Sequence, residues 1–347
     1  MPAKRFPAAL AKMNGRLRAL GWRAVPAAMG AGYLVLVGVW WLAGALSGDS
    51  IGIVRLANYA TPWIGLSLLP LLLLAALLRR PVLAGAALLL VVLVLAPYGG
   101  QIFRGLTGIV AGGEVVPPDA IHVMSYNVMG RNWEVNRIAA VVLKQKPDLL
   151  LLQEVRQPEE LLDRLNDLYP DGLVHVVRDD RLKLMIVSRF PLRAGAWDRE
   201  FQRASVRLPS GPMQLRNLHA IRGMRDDSAQ LALVDRLMED IREAPGPLLV
   251  AGDFNMTQAN EGYRRMRTFL RSAQEEAGRW FGFTFATPQR RFGRLIPMPL
   301  IRIDHIFVGG GVEVVRAGRI GEYGNSDHFP IDAILLFDGP GAGDDPQ

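Results

Sequence analysis

Three long stretches without one charged side chain, at residues 24–48, 56–78 and 81–103, limit what this chain can fold into more than any other feature. Each approaches or exceeds the roughly 20 apolar residues that a helix needs to cross a hydrocarbon core about 30 Å thick. Leu, Val, Ala and Gly fill them, and Trp40, Trp41, Trp63 and Tyr98 supply amphipathic rings for the water interfaces. A secretory signal fits poorly, because the first stretch is longer than a signal's apolar region and two more follow it. The expected organisation is a basic cytoplasmic segment at 1–23, a membrane anchor of three transmembrane helices at 24–103, a linker at 104–120, a globular domain at 121–338 and a disordered Gly/Asp/Pro-rich tail at 339–347.

The positive residues set the expected orientation. Lys4, Arg5, Lys12, Arg16, Arg18 and Arg23 precede the first stretch, and Arg79 with Arg80 separates the second from the third. The loop after the first stretch has only Arg55 against Asp49. Basic flanks stay in the cytoplasm, so three crossings predict a multi-pass protein of the cytoplasmic (inner) membrane with its globular domain outside. Arg104, just past the third stretch, is a contrary charge. The chain has no cysteine, which removes disulfides and thiolate zinc sites. A domain of this size can bury a sufficient core without them.

Beyond residue 120 the hydrophobic period alternates between strand and helix. Residues 121–127 and 148–153 read as strands, with a helix at 133–146 between them whose Val135, Ile138, Ala139, Val142 and Leu143 share one face. A second helix is expected at 158–168, and a third at 229–242 with a stripe of Leu231, Val234, Leu237, Met238 and Ile241. Further strands are expected near 173–177, 184–187, 204–208, 213–218, 248–250, 303–308, 312–317 and 331–337. This is an α/β pattern rich in strands.

Several of those strands end in polar residues able to bind a metal. HVMSYN ends in Asn127, LLLLQE in Glu154, and LLVAGDFN in Asp253 and Asn255. IRIDHIFV carries Asp304 and His305, LRNLH ends in His219, and Asp327-His328 follows Ser326. An apolar run of this length reads as a strand covered on both faces, so a carboxylate or amide at its end emerges at the rim of the sheet. In this order the segments resemble the endonuclease/exonuclease/phosphatase superfamily of Mg²⁺-dependent phosphoesterases, over roughly residues 120–338. The specificity lies in the ordered set, since Gln-Glu or Ser-Asp-His alone recurs in many chains.

The resemblance implies a four-layer α/β sandwich, two packed mixed sheets flanked by helices. It also implies Mg²⁺, with Mn²⁺ as a substitute, held by Glu154, Asn127 and Asp327. Asp253 would align the attacking water and Asn255 would donate to the phosphate. His328, oriented by Asp304, would serve acid–base chemistry, with His219 as a second donor. Hard oxygen ligands suit such a cation, since one or two carboxylates plus substrate phosphate suffice to hold it. Taken singly, an Asp or Asn after a strand is usually a turn former or a helix cap. His305 should face away from Asp304 because side chains alternate along a strand, which makes it structural, like His122 and His175.

Charge bears on the substrate. The net charge is +7, yet residues 1–80 hold nine Lys or Arg against one Asp, while the rest holds 31 basic and 32 acidic residues. A nuclease gripping a duplex normally carries a basic stripe on the binding domain, and here the excess belongs to the anchor. Arg264, Arg265, Arg267 and Arg271 read as a solvated helix face. Arg290, Arg291 and Arg294, ahead of the apolar LIPMPLI, would suit an anionic bilayer surface or an ordinary loop. A short linker with Gly112, Gly113, Pro117 and Pro118 keeps the domain near the membrane. The expected function is therefore an outward-facing phosphoesterase acting on a phosphate ester or diphosphate that is lipid-linked or near the membrane surface. The architecture resembles membrane phosphoesterases linked to teicoplanin resistance, which implies polyprenyl-linked substrates. The alternatives are a membrane-tethered nuclease and an inactive scaffold. Nothing in the sequence specifies an oligomeric state.

Overall fold

In the computed structural model, which describes residues 24–108, 116–169, 174–243, 246–288 and 298–336, the first charge-free stretch forms α1 (Ala24–Ser47). The second is broken into α2 (Gly52–Asn58) and α3 (Thr61–Leu77), bent by 76°. The third starts as α4 (Pro81–Leu95) and continues through a 3₁₀ turn (Ala96–Tyr98) into α5 (Gly99–Thr107). The expectation of three continuous spans is therefore corrected. Among the described residues two helical runs, Val25–Ser47 and Pro81–Thr107, are long and apolar enough to cross, and a third exists only if the bent pair counts as one span. Pro62, in the first turn of α3, suits a fresh helix start. Asp49 is buried, accepting from Asn58 Nδ2 at 2.7 Å and, through its backbone oxygen, from Arg55 Nη1 at 2.9 Å. These polar ties sit at the break, where a hydropathy count registers no angle. The segment 1–23, the cluster Arg290, Arg291 and Arg294, and the tail 339–347 lie outside the described residues.

The chain divides into Met1–Pro97 and Tyr98–Gln347. In the first unit, Leu34, Val37, Leu68, Ala87, Leu90 and Val94 pack inward. Val35, Leu36, Leu73, Val82 and Leu89 remain exposed, an apolar exterior suited to lipid.

The second unit holds two mixed six-stranded sheets. One contains β1 (Ile121–Asn127), β2 (Leu149–Gln153), β3 (His175–Asp179) and β4 (Leu184–Ser188), with α6 (Val135–Gln145) and α7 (Pro158–Leu165) against it. The other contains β5 (Leu192–Ala194), β6 (Phe201–Leu208), β7 (Gly211–His219) and β8 (Leu248–Asp253), with α8 (Ser228–Arg242) and α9 (Glu261–Met266) on its outer face. β9 (Arg271–Ser272), α10 (Ala273–Ala277) and β10 (Asp304–Gly309) extend this second sheet, while β11 (Glu313–Arg319) and β12 (Ile331–Leu336) return to the first. The strand orders are β11-β12-β1-β2-β4-β3 and β5-β6-β7-β8-β10-β9. Val123, Leu149, Leu151, Ile186, Leu215, Leu249 and Val308 fill the space between the sheets. Each such side chain contributes about 1.5–3 kcal/mol through burial. The predicted four-layer α/β sandwich is the observed architecture.

α5 belongs to this second unit. Trp280 N–H donates to Gln101 O at 2.9 Å, and Arg104 Nε donates to Gly278 O at 3.0 Å. Arg104 therefore serves as a docking residue, whatever its bearing on orientation.

Candidate active site

Each sheet contains one parallel pair, β1–β2 and β7–β8, joined by a crossover helix. Parallel strands point their C-terminal ends to the same rim. Asn127 ends β1, Glu154 follows β2, His219 ends β7 and Asp253 ends β8. β10 runs antiparallel to β8, so its first residue, Asp304, stands in register with Asp253. β12 runs antiparallel to β1, and the turn entering it delivers Asp327 and His328 to the same rim. All eight predicted residues thus arrive at one end of the sandwich.

Their contacts cross between the sheets. Asn127 Nδ2 donates to Glu154 Oε1 at 3.1 Å and to Asp253 Oδ2 at 3.0 Å, while its Oδ1 accepts from Met129 N–H at 3.0 Å. Gly130 N–H donates to Glu154 Oε2 at 2.8 Å. His219 Nε2 lies 3.6 Å from Glu154 Oε1 and 3.5 Å from Asp253 Oδ2. His328 Nδ1 bonds Asp304 Oδ2 at 2.9 Å, and its Nε2 lies 3.7 Å from Asp253 Oδ2. Asn255 N–H donates to Asp253 Oδ1 at 2.9 Å, and its side-chain amide donates to Ala220 O at 2.8 Å. His305 faces the other way, among Phe254, Tyr263 and Phe307, with Nε2 on Met256 O at 2.8 Å.

The backbone is held in uncommon conformations around these groups. Met129, Glu154 and Asn255 have φ of 58°, 60° and 50°. A non-glycine left-handed residue costs on the order of 1–3 kcal/mol and persists only where its surroundings enforce it. Gly252 in LLVAGDFN is required, since a Cβ there would come within 2.0 Å of Leu218 O.

Burial and charge set the protonation states. Burial raises the Asp253 carboxyl to about 6, with His328 opposing and Asp304 reinforcing the shift. Burial alone would lower His328, yet Asp304, Asp253 and Asp327 together raise it to about 10. Asp327 is raised by burial, with His328 opposing and Glu154 adding to the rise. Glu154 is partly desolvated, but the Gly130 N–H, the Asn127 amide and the charges of His219 and His328 lower it overall.

The donor set fits a hard divalent cation. The carboxylate oxygen Asp327 Oδ1 is buried with no hydrogen-bond partner among the described residues, and the carboxylate of Glu154, whose charge Asp327 senses, lies at the same rim. Asp253, Asp304 and His328 also bring ligand atoms within 4.8 Å of one another. Within that trio His328 Nδ1 already bonds Asp304.

Several supporting residues were not singled out by the sequence pattern. Gln153 and Asn217 are wholly buried and bridge the two sheets beneath the site, Gln153 Nε2 donating to Asn217 Oδ1 at 2.8 Å. A buried amide within an apolar strand was the available signal. Ser326 Oγ donates to Asn127 O at 2.6 Å and accepts from His328 N–H at 3.1 Å. Arg222 lies close enough for its charge to act on Asp327.

A family model described as "Endonuclease/Exonuclease/phosphatase family" matches residues 124–328. An endonuclease/exonuclease/phosphatase from Bacteroides vulgatus superposes with a TM-score of 0.51 at 20% identity, covering 63% of this chain and 99% of that one. A Bacteroides thetaiotaomicron family protein gives 0.50 at 21% identity, covering 65% and 97%. Truncated Caenorhabditis elegans TDP2 gives 0.50 at 20% identity, covering 64% and 100%. At such identities the solved structures speak to fold alone. No curated protein matches the chain.

Proposed function

Because the chain belongs to the endonuclease/exonuclease/phosphatase family, whose members are metal-dependent hydrolases of phosphate ester bonds, we propose that it is a membrane-anchored, outward-facing phosphoesterase whose substrate is a lipid-linked phosphate ester or diphosphate, or one held near the bilayer surface. The observation that carries this reading is the docking of α5 on the catalytic unit, through Gln101 and Arg104. α5 is the last part of the apolar run Pro81–Thr107, so the catalytic unit is continuous in sequence with that run. The near balance of charge beyond residue 80 supports the same choice over a nuclease that grips DNA by its phosphates.

Glu154 and Asp327 are the ligands proposed for Mg²⁺, with Mn²⁺ as a substitute. Asn127 fixes Glu154 and Asp253 through its amide and adds its oxygen to the metal's surroundings. The chemistry supplied by the bound cation is polarisation of a phosphoryl oxygen. Asp253, with a pKa near 6, is ionised at neutral pH and orients the attacking water as it accepts its proton. Asn255 keeps Asp253 in place through its backbone N–H, and its side-chain amide, donating to Ala220 O and Asp253 Oδ2, sits at the same rim. His328, held charged by Asp304, donates toward the developing negative charge, and His219 donates from the other side. In this reading the bent pair α2–α3 counts as one span, and three crossings from a cytoplasmic N-terminus leave the catalytic unit outside the cytoplasm.

The alternative nuclease is tested by plasmid nicking and by the salt dependence of DNA binding. A protein that holds several phosphates loses affinity by orders of magnitude between low and moderate salt. Weak, salt-insensitive DNA binding and no nicking are expected. Steep salt dependence with Mg²⁺-dependent nicking would replace the lipid reading.

A further inference from the structure

A cavity of about 690 Å³ opens on the catalytic unit away from the carboxylates, lined by Trp280, Phe281, Phe283, Met298, Arg316 and Arg319 among others. Its size falls within the range of small-ligand pockets, roughly 300–1,000 Å³. Trp280 and Met298 remain substantially exposed, with Arg316 and Arg319 in the same lining.

One side of the cavity runs back to the membrane tether. The Tyr98 ring meets Phe281 edge-on at 5.4 Å, and a Cβ on Gly105 would fall 2.5 Å from the Trp280 indole. Only glycine lets the helix lie so close to that ring. Tyr98 to Gly105 spans about 10 Å as helix, so the cavity adjoins the final turns of an apolar run that ends at Thr107. The exposed Phe103 and Leu106 lie on the same helix.

On its other side the lining rings lead on toward the catalytic centre. Phe281 and Phe283 stack with centroids 5.3 Å apart, and Phe285, two residues on, packs on His328 at 4.9 Å. Across the cavity, Arg319 lies over Phe329, the neighbour of His328, at 4.2 Å. Half-buried rings at Phe281, Phe283 and Phe285 thus form a track from the membrane tether to the catalytic histidine.

We propose that this cavity and its aromatic track bind the apolar chain of the phosphate-bearing lipid substrate. The rings supply the apolar surface, while Arg319, with Arg316 beside it paired to Asp332 at 3.4 Å, favours an anionic amphiphile over a neutral one. The inference rests on the lipid-linked reading of the site and adds where the chain lies.

The test is photolabelling of the full-length protein in detergent with hexadecyl phosphate carrying a terminal diazirine, followed by peptide mapping. Label is expected on the segment containing Trp280–Phe283 or at Met298, displaced by a polyprenyl phosphate but not by inorganic phosphate or a bulk phospholipid. Phe283→Asp and, at the more exposed position, Met298→Asp should each cut labelling about tenfold, the effect of placing a charge against the chain. Label confined to other segments, labelling as strong as wild type in both variants, or equal displacement by phospholipid would overturn the proposal. Phosphate release from the polyprenyl diphosphate, measured in parallel, tests the lipid-linked reading separately. Labelling without release would refute that reading alone, and release without labelling at the cavity would refute the cavity alone.

Discussion

Asp304 faces Asp253 directly across the ladder between β8 and β10, and His328 stands between the two carboxylates, 2.9 Å from Asp304 and 3.7 Å from Asp253. Like charges opposite one another in a sheet are unfavourable. All three groups are at most 3% exposed. The imidazolium makes the arrangement tolerable by pairing with Asp304 through Nδ1 and turning Nε2 toward Asp253. Asp304 is thereby tied to His328, and Asp253 is left with a raised pKa.

Asp253→Ala and Glu154→Ala should each lower kcat by at least about 10²–10⁴-fold, the range a positioned acid–base group contributes. Asp253→Ala should leave the thermal transition intact or raised, because it removes a carboxylate whose pKa burial raises, whereas Glu154→Ala should lower it modestly, because the Gly130 N–H and the Asn127 amide lose their acceptor. Rates measured beside circular-dichroism melts check this. Turnover close to wild type in either variant would remove that residue from the site.

The Asp304–His328 pair makes a signed prediction about pH. The folded pKa of His328, about 10, lies above its ordinary value of 6.5. Its charge therefore stabilises the fold fully below pH about 6.5, and that contribution is lost as pH rises through about 10. In metal-free buffer the Tm of wild type should exceed that of Asp304→Asn by most near pH 6, and the gap should close toward pH 10. A gap independent of pH would contradict the charged pairing.

His305 should act in the opposite sense. Burial, and secondarily the charge of Arg302, hold its pKa well below 6.5. The unfolded chain takes up a proton below that value and the folded one does not, so His305 costs stability as pH falls under about 6.5. His305→Gln retains a donor for Met256 O without titrating. Its Tm should fall less than wild type's between about pH 7.5 and 5.5. An equal fall would place the acid sensitivity elsewhere.

Metal should bind through Glu154 and Asp327. Added Mg²⁺ should raise the Tm of wild type by mass action, and chelation should abolish turnover. In Asp327→Ala the Mg²⁺-dependent rise should shrink or vanish. A full rise in that variant would argue for a ligand set centred on Asp253 instead.

The absence of cysteine makes the topology directly measurable. A single Asp226→Cys, on an exposed turn of the catalytic unit, should react with a membrane-impermeant maleimide in intact cells if the bent pair crosses the membrane. Protection until the cells are opened would mean two crossings and a cytoplasmic site.

Much of the sandwich was legible because its strands are apolar runs ending in polar residues, as in LLLLQE and LLVAGDFN, and its helices carry one-sided stripes such as Leu237 and Met238. The contacts of the site were less so. That Asn127 spends its amide on Glu154 and Asp253, or that Gln153 meets Asn217 between the sheets, depends on pairings 27 to 126 residues apart. The bend at Asn58–Thr61 was hidden because composition sets hydropathy but not the angle between helices. β5 and β9, of three and two residues, are too short for a period to register. Gly99–Thr107 read as the end of a span and the start of a linker, yet Gln101 is buried against the catalytic unit.

The most direct test purifies the full-length protein in detergent with Mg²⁺ and measures phosphate release from a polyprenyl diphosphate beside cleavage of plasmid DNA, with Asp253→Ala as the control. Mg²⁺-dependent release, abolished in Asp253→Ala and unaccompanied by nicking, is the predicted result. Nicking without phosphate release would contradict the account and make the protein a membrane-tethered nuclease.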